Sequence, residues 1–350
     1  MVRISIIIPV YNSEEYIENT VNSILKQSFD NFELLLINDG STDASGCICD
    51  KLSANDSRIK VIHKKNEGIC ATRNKGLELA QGKYIAFCDN DDLFMDNLLS
   101  DNYYLAEKYN ADVVRFSRRR TDIYNGKIIS VRETRGFNNR FVPNDKFVEY
   151  FKEINSAGEG VWAGIYKKEF LDRHAIRFDE NMKYGYEDLN YIIQIYMNHP
   201  SVVLNNKVYY HWIMRTEHST SAKTNINNIQ SLMLCLEAKK QLYEEYKMEN
   251  TKVDLWIQEL SARICQVIKY VDPRKSNMTL KECLNILEYF GTCDVFQGSY
   301  KLIEILKMTK RTGVNASLVY FLFTKRMYWL LYLLVVFKSR LPHRKVFRYN

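Results

Sequence analysis

The feature that most constrains this chain is a regular alternation over residues 1–117: short, nearly unbroken apolar runs rich in β-branched residues, separated by stretches of helical periodicity. The runs at 2–10, 32–38, 59–62, 84–88 and 113–116 have the length and composition of strands. Between the first two, Tyr16/Ile17, Thr20/Val21 and Ile24/Leu25 recur every four residues, with Asn12 and Glu15 spaced as a cap and third helical residue. That spacing predicts an amphipathic helix, and a second helical pattern, 71–80, leads into the fourth run. Strands that are apolar throughout must be covered on both faces. The alternation therefore predicts an α/β fold, a mostly parallel sheet flanked by helices and wound right-handedly. In such a sheet ligands bind beyond the carboxyl ends of the strands.

Beyond residue 117 the chain turns polar and Arg/Asn-rich, with a hairpin expected at Asn125-Gly126, strand character at 162–166 and a helix at 167–173. From 226 to about 310 the pattern is helical, and apolar runs at 314–323 and 327–337 follow. The second of these is too short to cross a bilayer, which takes roughly 20 residues. Rich in Tyr, Trp and Leu and followed by Lys338, Arg340, His343, Arg344, Lys345 and Arg348, it has the make-up of an interfacial helix with a polybasic flank. The net charge of +7 comes from this region. Residues 300–350 hold 11 of the 49 Lys/Arg but only one of the 42 Asp/Glu, a net of +10, so residues 1–299 stand at −3. A body of that charge argues against nucleic-acid binding, and the tail suits an anionic membrane surface. The eight cysteines show no paired spacing and read as reduced thiols, and the N-terminal run is too short and too β-branched for a signal peptide, so a cytoplasmic setting is expected. The expected organisation is 1–221 as one α/β domain, with halves 1–117 and 118–221, then a helical region 222–313 and a membrane-associating tail 314–350.

The chemistry is expected where the acids fall. Asp39 ends the second strand, and Asp89, Asp91 and Asp92 end the fourth, which puts both groups on one rim of the sheet. Three carboxylates within four residues repel one another, and a divalent cation bound among them relieves that repulsion. Oxygen ligands at Asp-x-Asp spacing suit Mg2+ or Mn2+ shared with a diphosphate, although Asp91 or Asp92 could equally cap a helix starting near Leu93. A third acidic site, Glu187 and Asp188, opens an apolar helix. It reads either as a complement to the helix dipole or as a carboxylate desolvated into a general base. Asn66, with Glu67 and Gly68, supplies a turn, and Arg73, with Asn74 and Lys75, supplies cations at a helix start, a setting that suits phosphate. Tyr209-Tyr210-His211-Trp212, then Arg215, His218, Ser219, Thr220 and Ser221, place donors after an apolar run. The GxGxxA string at 158–163 follows polar residues rather than a strand and is discounted as a dinucleotide fingerprint, as is an HxxxxD string at 174–179; no GxxxxGK[ST], HExxH or GxSxG motif is present.

Pro9-Val10-Tyr11-Asn12, Asn38-Asp39-Gly40-Ser41-Thr42-Asp43, Asn66-Glu67-Gly68, Arg73-Asn74-Lys75-Gly76, Asp89-Asn90-Asp91-Asp92 and Glu187-Asp188 together resemble family 2 glycosyltransferases of the GT-A fold, of the bacterial surface-polysaccharide type. The resemblance is dense to about residue 95 and continues as landmarks to about 221. It implies an inverting, metal-dependent transfer of a hexosyl or N-acetylhexosaminyl group from a nucleotide sugar, with UDP as the expected nucleotide, to a lipid-linked saccharide or polysaccharide acceptor on the inner face of the cell membrane. Pro9, Tyr11, Asp39, Asn66, Asn90 and Asp89 would contact the nucleotide sugar, with Asp39 on the base and Arg73 facing the phosphates. Asp89, Asp91 and His211 would hold Mn2+ or Mg2+. Asp188, supported by Glu187, would be the base, and His211 or Arg215 would close over the diphosphate. A sugar nucleotidyltransferase and a non-catalytic carbohydrate-binding homologue are the rival readings. The first usually needs a Gly-rich basic loop where this chain has Tyr11-Asn12-Ser13-Glu14-Glu15.

Overall fold

The computed structural model describes residues 2–134, 136–182, 185–215, 226–246, 253–270, 278–296 and 314–338, arranged as two compact units, Met1–Ala222 and Lys223–Asn350. In the first unit, strands β1 (Ile4–Val10), β2 (Phe32–Asp39), β3 (Ile59–Lys64) and β4 (Tyr84–Phe87) form a parallel array in the order β3-β2-β1-β4. Every residue of β1, β2 and β4 is buried, as their unbroken apolar sequences require. The helices α1 (Ile17–Leu25), α2 (Ser45–Asn55) and α3 (Ile69–Leu79) connect them. Alternate residues of β1 and β2, among them Ile4, Ile6, Ile8, Leu34 and Leu36, pack with Ile17, Val21 and Ile24 of α1 in one core.

The sheet continues through β9 (Gly164–Lys167), antiparallel to β4, then β6 (Val113–Tyr124) and β10 (Val202–Arg215), parallel to each other. A short β5 (Leu93–Phe94) pairs antiparallel with β10 at Tyr210 and His211, so no helix starts at Leu93. β7 (Lys127–Thr134) returns from β6 through Asn125 and Gly126, both at positive φ, giving the expected hairpin, and β8 (Arg140–Val142) pairs with the start of β10. Four further helices, α4 (Leu98–Tyr109), α5 (Phe147–Asn155), α6 (Lys168–Arg173) and α7 (Glu187–Met197), complete this unit.

Asn12 does not cap α1. It stands at φ 45°, and its Oδ1 accepts from Thr42 N at 2.8 Å while its own N–H donates to Ser41 Oγ at 3.1 Å. The helix starts later, at Ile17, with no side-chain cap. Asn12 thus laces the loop after β1 to the loop after β2.

The second unit contains α8 (Ile226–Glu245), α9 (Val253–Tyr270), α10 (Leu280–Phe290), α11 (Val314–Thr324) and α12 (Tyr328–Lys338). A Thr279/Glu282 capping box opens α10. Lys239 of α8 is buried but paired, its Nζ 2.6 Å from Glu259 Oε1 of α9. Among the described residues no helix is long and apolar enough to cross a membrane. His218 to Ser221 and the basic residues after Lys338 lie outside the described residues.

Candidate active site

The rim is built from strand ends. Asp39, the last residue of β2, is 4% exposed, and its carboxylate accepts from Lys64 Nζ (2.6 Å) and from the backbone N–H groups of Glu67 (2.9 Å) and Gly68 (2.9 Å). Of about four lone-pair positions on a carboxylate, three are filled and one is left for a ligand. The same contacts fix the loop that starts α3. Gly40, at φ +68°, is needed there: a Cβ would stand 2.9 Å from Asn66 N. Tyr11, just past β1, is 48% exposed, and Asn66 is exposed on the same loop as Glu67.

From α3, Arg73 turns inward. It is 1% exposed and gathers acids distant in sequence: Nη1 donates to Asp188 Oδ1 (2.6 Å) and Glu187 Oε1 (3.1 Å), and Nη2 to Asp89 Oδ1 (2.9 Å). Its guanidinium also lies 5.2 Å from the Phe178 ring centroid. Arg73 was expected to face the phosphates; instead three carboxylates occupy it, because a guanidinium this deep requires paired anions.

Glu187 and Asp188 are the first residues of α7. Successive positive φ values at Gly185 and Tyr186 turn the chain so that the helix opens toward Arg73. Asp188 Oδ2 accepts a long bond from Val161 N (3.3 Å), and about a fifth of the side chain reaches solvent. Burial, then the charge of Asp89, holds the Asp188 carboxyl above its ordinary range, with Arg73 opposing; burial and Asp188 do the same to Glu187.

The three acids after β4 divide into two kinds. Asp92 is 1% exposed and satisfied from within: Tyr210 Oη donates at 2.8 Å and Ile213 N at 2.7 Å. Burial and the charges of Asp89 and Asp91 hold its carboxyl well above the usual range. Asp89 and Asp91 keep 30% and 36% of their side chains exposed. Asp91 Oδ2 accepts from Arg215 Nη1 at 2.9 Å, and that guanidinium lies 4.0 Å from the Tyr16 ring centroid. Burial raises both carboxyls, Asp89 further through Asp91. Asn90, between them, holds α1 in place, its carbonyl accepting from Thr20 Oγ1 at 3.1 Å.

His211 is not brought into this group. Its Nε2 is 2.8 Å from Thr121 Oγ1, and burial, with Arg119 and Arg215, lowers its pKa and favours the neutral ring. Among the described residues no group of three or more His, Cys, Asp or Glu has the geometry to hold a metal ion. Of the expected set of Asp89, Asp91 and His211, the two carboxylates stand together on the rim, both raised by burial and Asp89 further by the charge of Asp91. Half-exposed carboxylate oxygens in a desolvated acidic rim are the donor chemistry that suits Mg2+ or Mn2+.

Tyr210, which the sequence offers only as one donor among several in the run 209–212, stands at the centre of the rim. Its hydroxyl accepts from Asp89 N (3.2 Å) while donating to Asp92, and its ring stacks on Trp162 at 4.5 Å. The partners lie 121 and 118 residues upstream, beyond any local pattern.

Comparison with known proteins finds glycosyltransferases. GlyG, a glycosyltransferase of Streptococcus pneumoniae serotype 4, is 41% identical over 112 residues, 32% of this chain and 37% of the relative. The minor teichoic acid biosynthesis protein GgaB of Bacillus subtilis is 30% identical over 266 residues, 73% of this chain and 28% of the relative. The chain thus spans only about a third of either relative. The crystal structure of S. aureus TarS 1-349 in complex with UDP-GlcNAc superposes with a TM-score of 0.58 at 20% identity, covering 92% of each chain, and so shares the fold, that of a GT-A glycosyltransferase. Residues 5–186, more than half of the chain, match the sequence model of Glycosyl transferase family 2, and the chain belongs to that family.

Proposed function

We propose that this chain transfers a sugar from a nucleoside-diphosphate donor, UDP-linked, to a hydroxyl of a lipid-linked saccharide or polysaccharide acceptor, in one inverting and metal-dependent displacement. The observation that carries the reading is Arg73, which binds an acid of the β4 rim and both acids of α7 with one guanidinium. This supports reading Asp89 as part of the leaving-group site and Asp188 as the proton acceptor, both tied to one buried cation. Residues 1–117 form the donor half and 118–221 the acceptor half. TarS, which shares the fold, has been crystallised with UDP-GlcNAc, and this supports the choice of UDP.

Asp39 uses its remaining lone pair on the nucleotide base, and Pro9, Tyr11, Asn66 and Asn90 line the nucleotide and sugar. Asp89 and Asp91 would hold Mn2+ or Mg2+, which would supply positive charge to neutralise the departing diphosphate. Asp188 Oδ2, held among the described residues by the long bond from Val161, takes the proton of the acceptor hydroxyl, while Oδ1 stays on Arg73. The acceptor oxygen bonds to the anomeric carbon as the bond to the diphosphate oxygen breaks. A single displacement inverts that carbon. It needs no thiol nucleophile, in keeping with cysteines such as Cys49 and Cys70, whose pKa burial pushes up to about 12.

The tail, 314–350, is proposed to hold the protein on the cytoplasmic face of an anionic membrane. Supporting this, Leu318, Met327, Trp329, Leu330 and Leu333 are all 40% or more exposed on α11, α12 and the turn between them. The test is calorimetric titration of UDP with and without Mn2+, followed by a donor screen read as nucleoside diphosphate release. Metal-dependent UDP binding and turnover of one UDP-sugar are expected; absence of both in the folded chain overturns the reading.

A further inference from the structure

The loop that holds Asp188 through Val161 N is itself clamped by two arginines of β6. Arg115, fully buried, donates from Nη1 to Tyr166 Oη (2.6 Å) and from Nη2 to the carbonyls of Gly158 (2.9 Å) and Gly160 (3.1 Å). Arg118 donates from Nη1 to the Ala157 carbonyl at 3.0 Å and lies 5.4 Å from the Trp162 ring centroid. Gly158, at φ +90°, brings the loop so close that a Cβ there would stand 2.7 Å from Arg118 Nη1. Trp162 stacks on Tyr210 and stands 5.7 Å from Trp212, over which Arg120 lies at 4.2 Å.

The arginines differ in how their charge is met. Arg119 pairs with Glu133 (2.9 Å) and Arg120 with Asp122 (2.7 Å). Arg118 forms no ion pair with a carboxylate among the described residues, although it is half-buried. Burial and the charges of Arg115 and Arg120 pull its pKa down to about 10, with Glu159 opposing. A guanidinium desolvated against aromatic rings beside like charges is stabilised by any oxyanion that reaches it. Arg118 grips residue 157 of the loop and Asp188 grips residue 161, so an anion at Arg118 lies one loop away from the proton acceptor.

We propose that Arg118 anchors an acceptor subsite for a saccharide or polyol that carries an oxyanion, phosphate or carboxylate, near the hydroxyl to be glycosylated. This rests on the assignment of Asp188 as base. The anion is placed on the acceptor side because the donor diphosphate belongs to Asp89 and Asp91, on the β4 rim.

The test is calorimetry on the full chain saturated with UDP and Mn2+, titrated with glycerol 3-phosphate against glycerol and with methyl glucuronide against methyl glucoside. At least one anion is expected to bind about tenfold or more tightly than its neutral counterpart, the gain of one charge-assisted hydrogen bond. The phosphate and carboxylate arms tell the two sources apart. Arg118→Gln should abolish the preference with UDP affinity unchanged, Arg118→Lys should restore part of it, and Arg119→Gln should leave it intact. No preference for either anion in the wild type, a comparison that needs no variant, overturns the proposal, as does a preference that survives in Arg118→Gln. Failure to bind UDP would instead sink the donor assignment, and is read separately.

Discussion

At the scale of residues the site is a problem of compensating charge. Glu187, Asp188, Asp89, Asp91 and Asp92 are all held above their ordinary range, chiefly by burial, and one buried guanidinium meets three of them. Removing it leaves buried carboxylates unpaired, so Arg73→Met should cost about 3–5 kcal/mol in urea unfolding; a loss under about 1 kcal/mol would mean that the acids do not depend on it. Asp188→Asn keeps the shape but cannot accept a proton. UDP binding should persist while transfer falls by about 10² or more, measured with saturating donor. The sign of the pH effect follows from the same burial. Asp188 must be ionised to act, and its pKa is raised above 3.8, so activity should fall on acidification at a pH above that value. A kcat/KM profile flat down to the ordinary carboxylate range would exclude Asp188 as the titrating group.

At the scale of elements, the position of Arg73 depends on how closely α3 approaches β1. Gly76 permits that approach, since a Cβ there would stand 2.4 Å from Ile7 Cγ2. Gly76→Ala should therefore destabilise by about 1–3 kcal/mol through overpacking and reduce transfer by displacing Arg73 one turn away; unchanged melting and rate would refute the coupling. Such contacts explain what the sequence made legible. β1, β2 and β4 were readable because both faces of each are buried, and the rim acids because strand ends follow from strands. α2 was not named, since Ser45 and Cys49 are its only fully buried residues and leave no apolar stripe. β6 reaches Tyr124 and β10 Arg215, well past the apolar runs, because the guanidinium groups of Arg118 and Arg120 lie over Trp162 and Trp212 and a polar string becomes strand. Asn12 had the spacing of a cap, but a bond to Thr42 thirty residues away competes with it. The partners of Arg73 lie up to 115 residues away, so its chemistry was readable and its burial was not.

At the scale of the whole molecule, residues 300–350, with their net +10, contain two helices whose apolar residues are only partly used in packing. Tyr320, Leu322 and Phe323 of α11 and Leu331 and Tyr332 of α12 are buried within the second unit, so deleting 314–350 would uncover its core as well as remove the tail. Substitution of the outward residues separates the two effects. Trp329, Leu330 and Leu333 are 53%, 42% and 43% exposed, and their burial in a lipid interface would contribute about 1.5–3 kcal/mol each at full transfer, with about 1 kcal/mol from each nearby Lys or Arg on an anionic surface. Replacing all three with Ser should leave the melting temperature and UDP affinity in place. Partition onto phosphatidylglycerol vesicles should fall by about tenfold or more, because even half the transfer energy of three side chains exceeds the 1.4 kcal/mol of one decade. Cosedimentation at low and high salt checks both parts: the wild type should bind more weakly at high salt, as screening of the basic flank requires. Equal binding by the triple variant would place the membrane contact elsewhere on the chain.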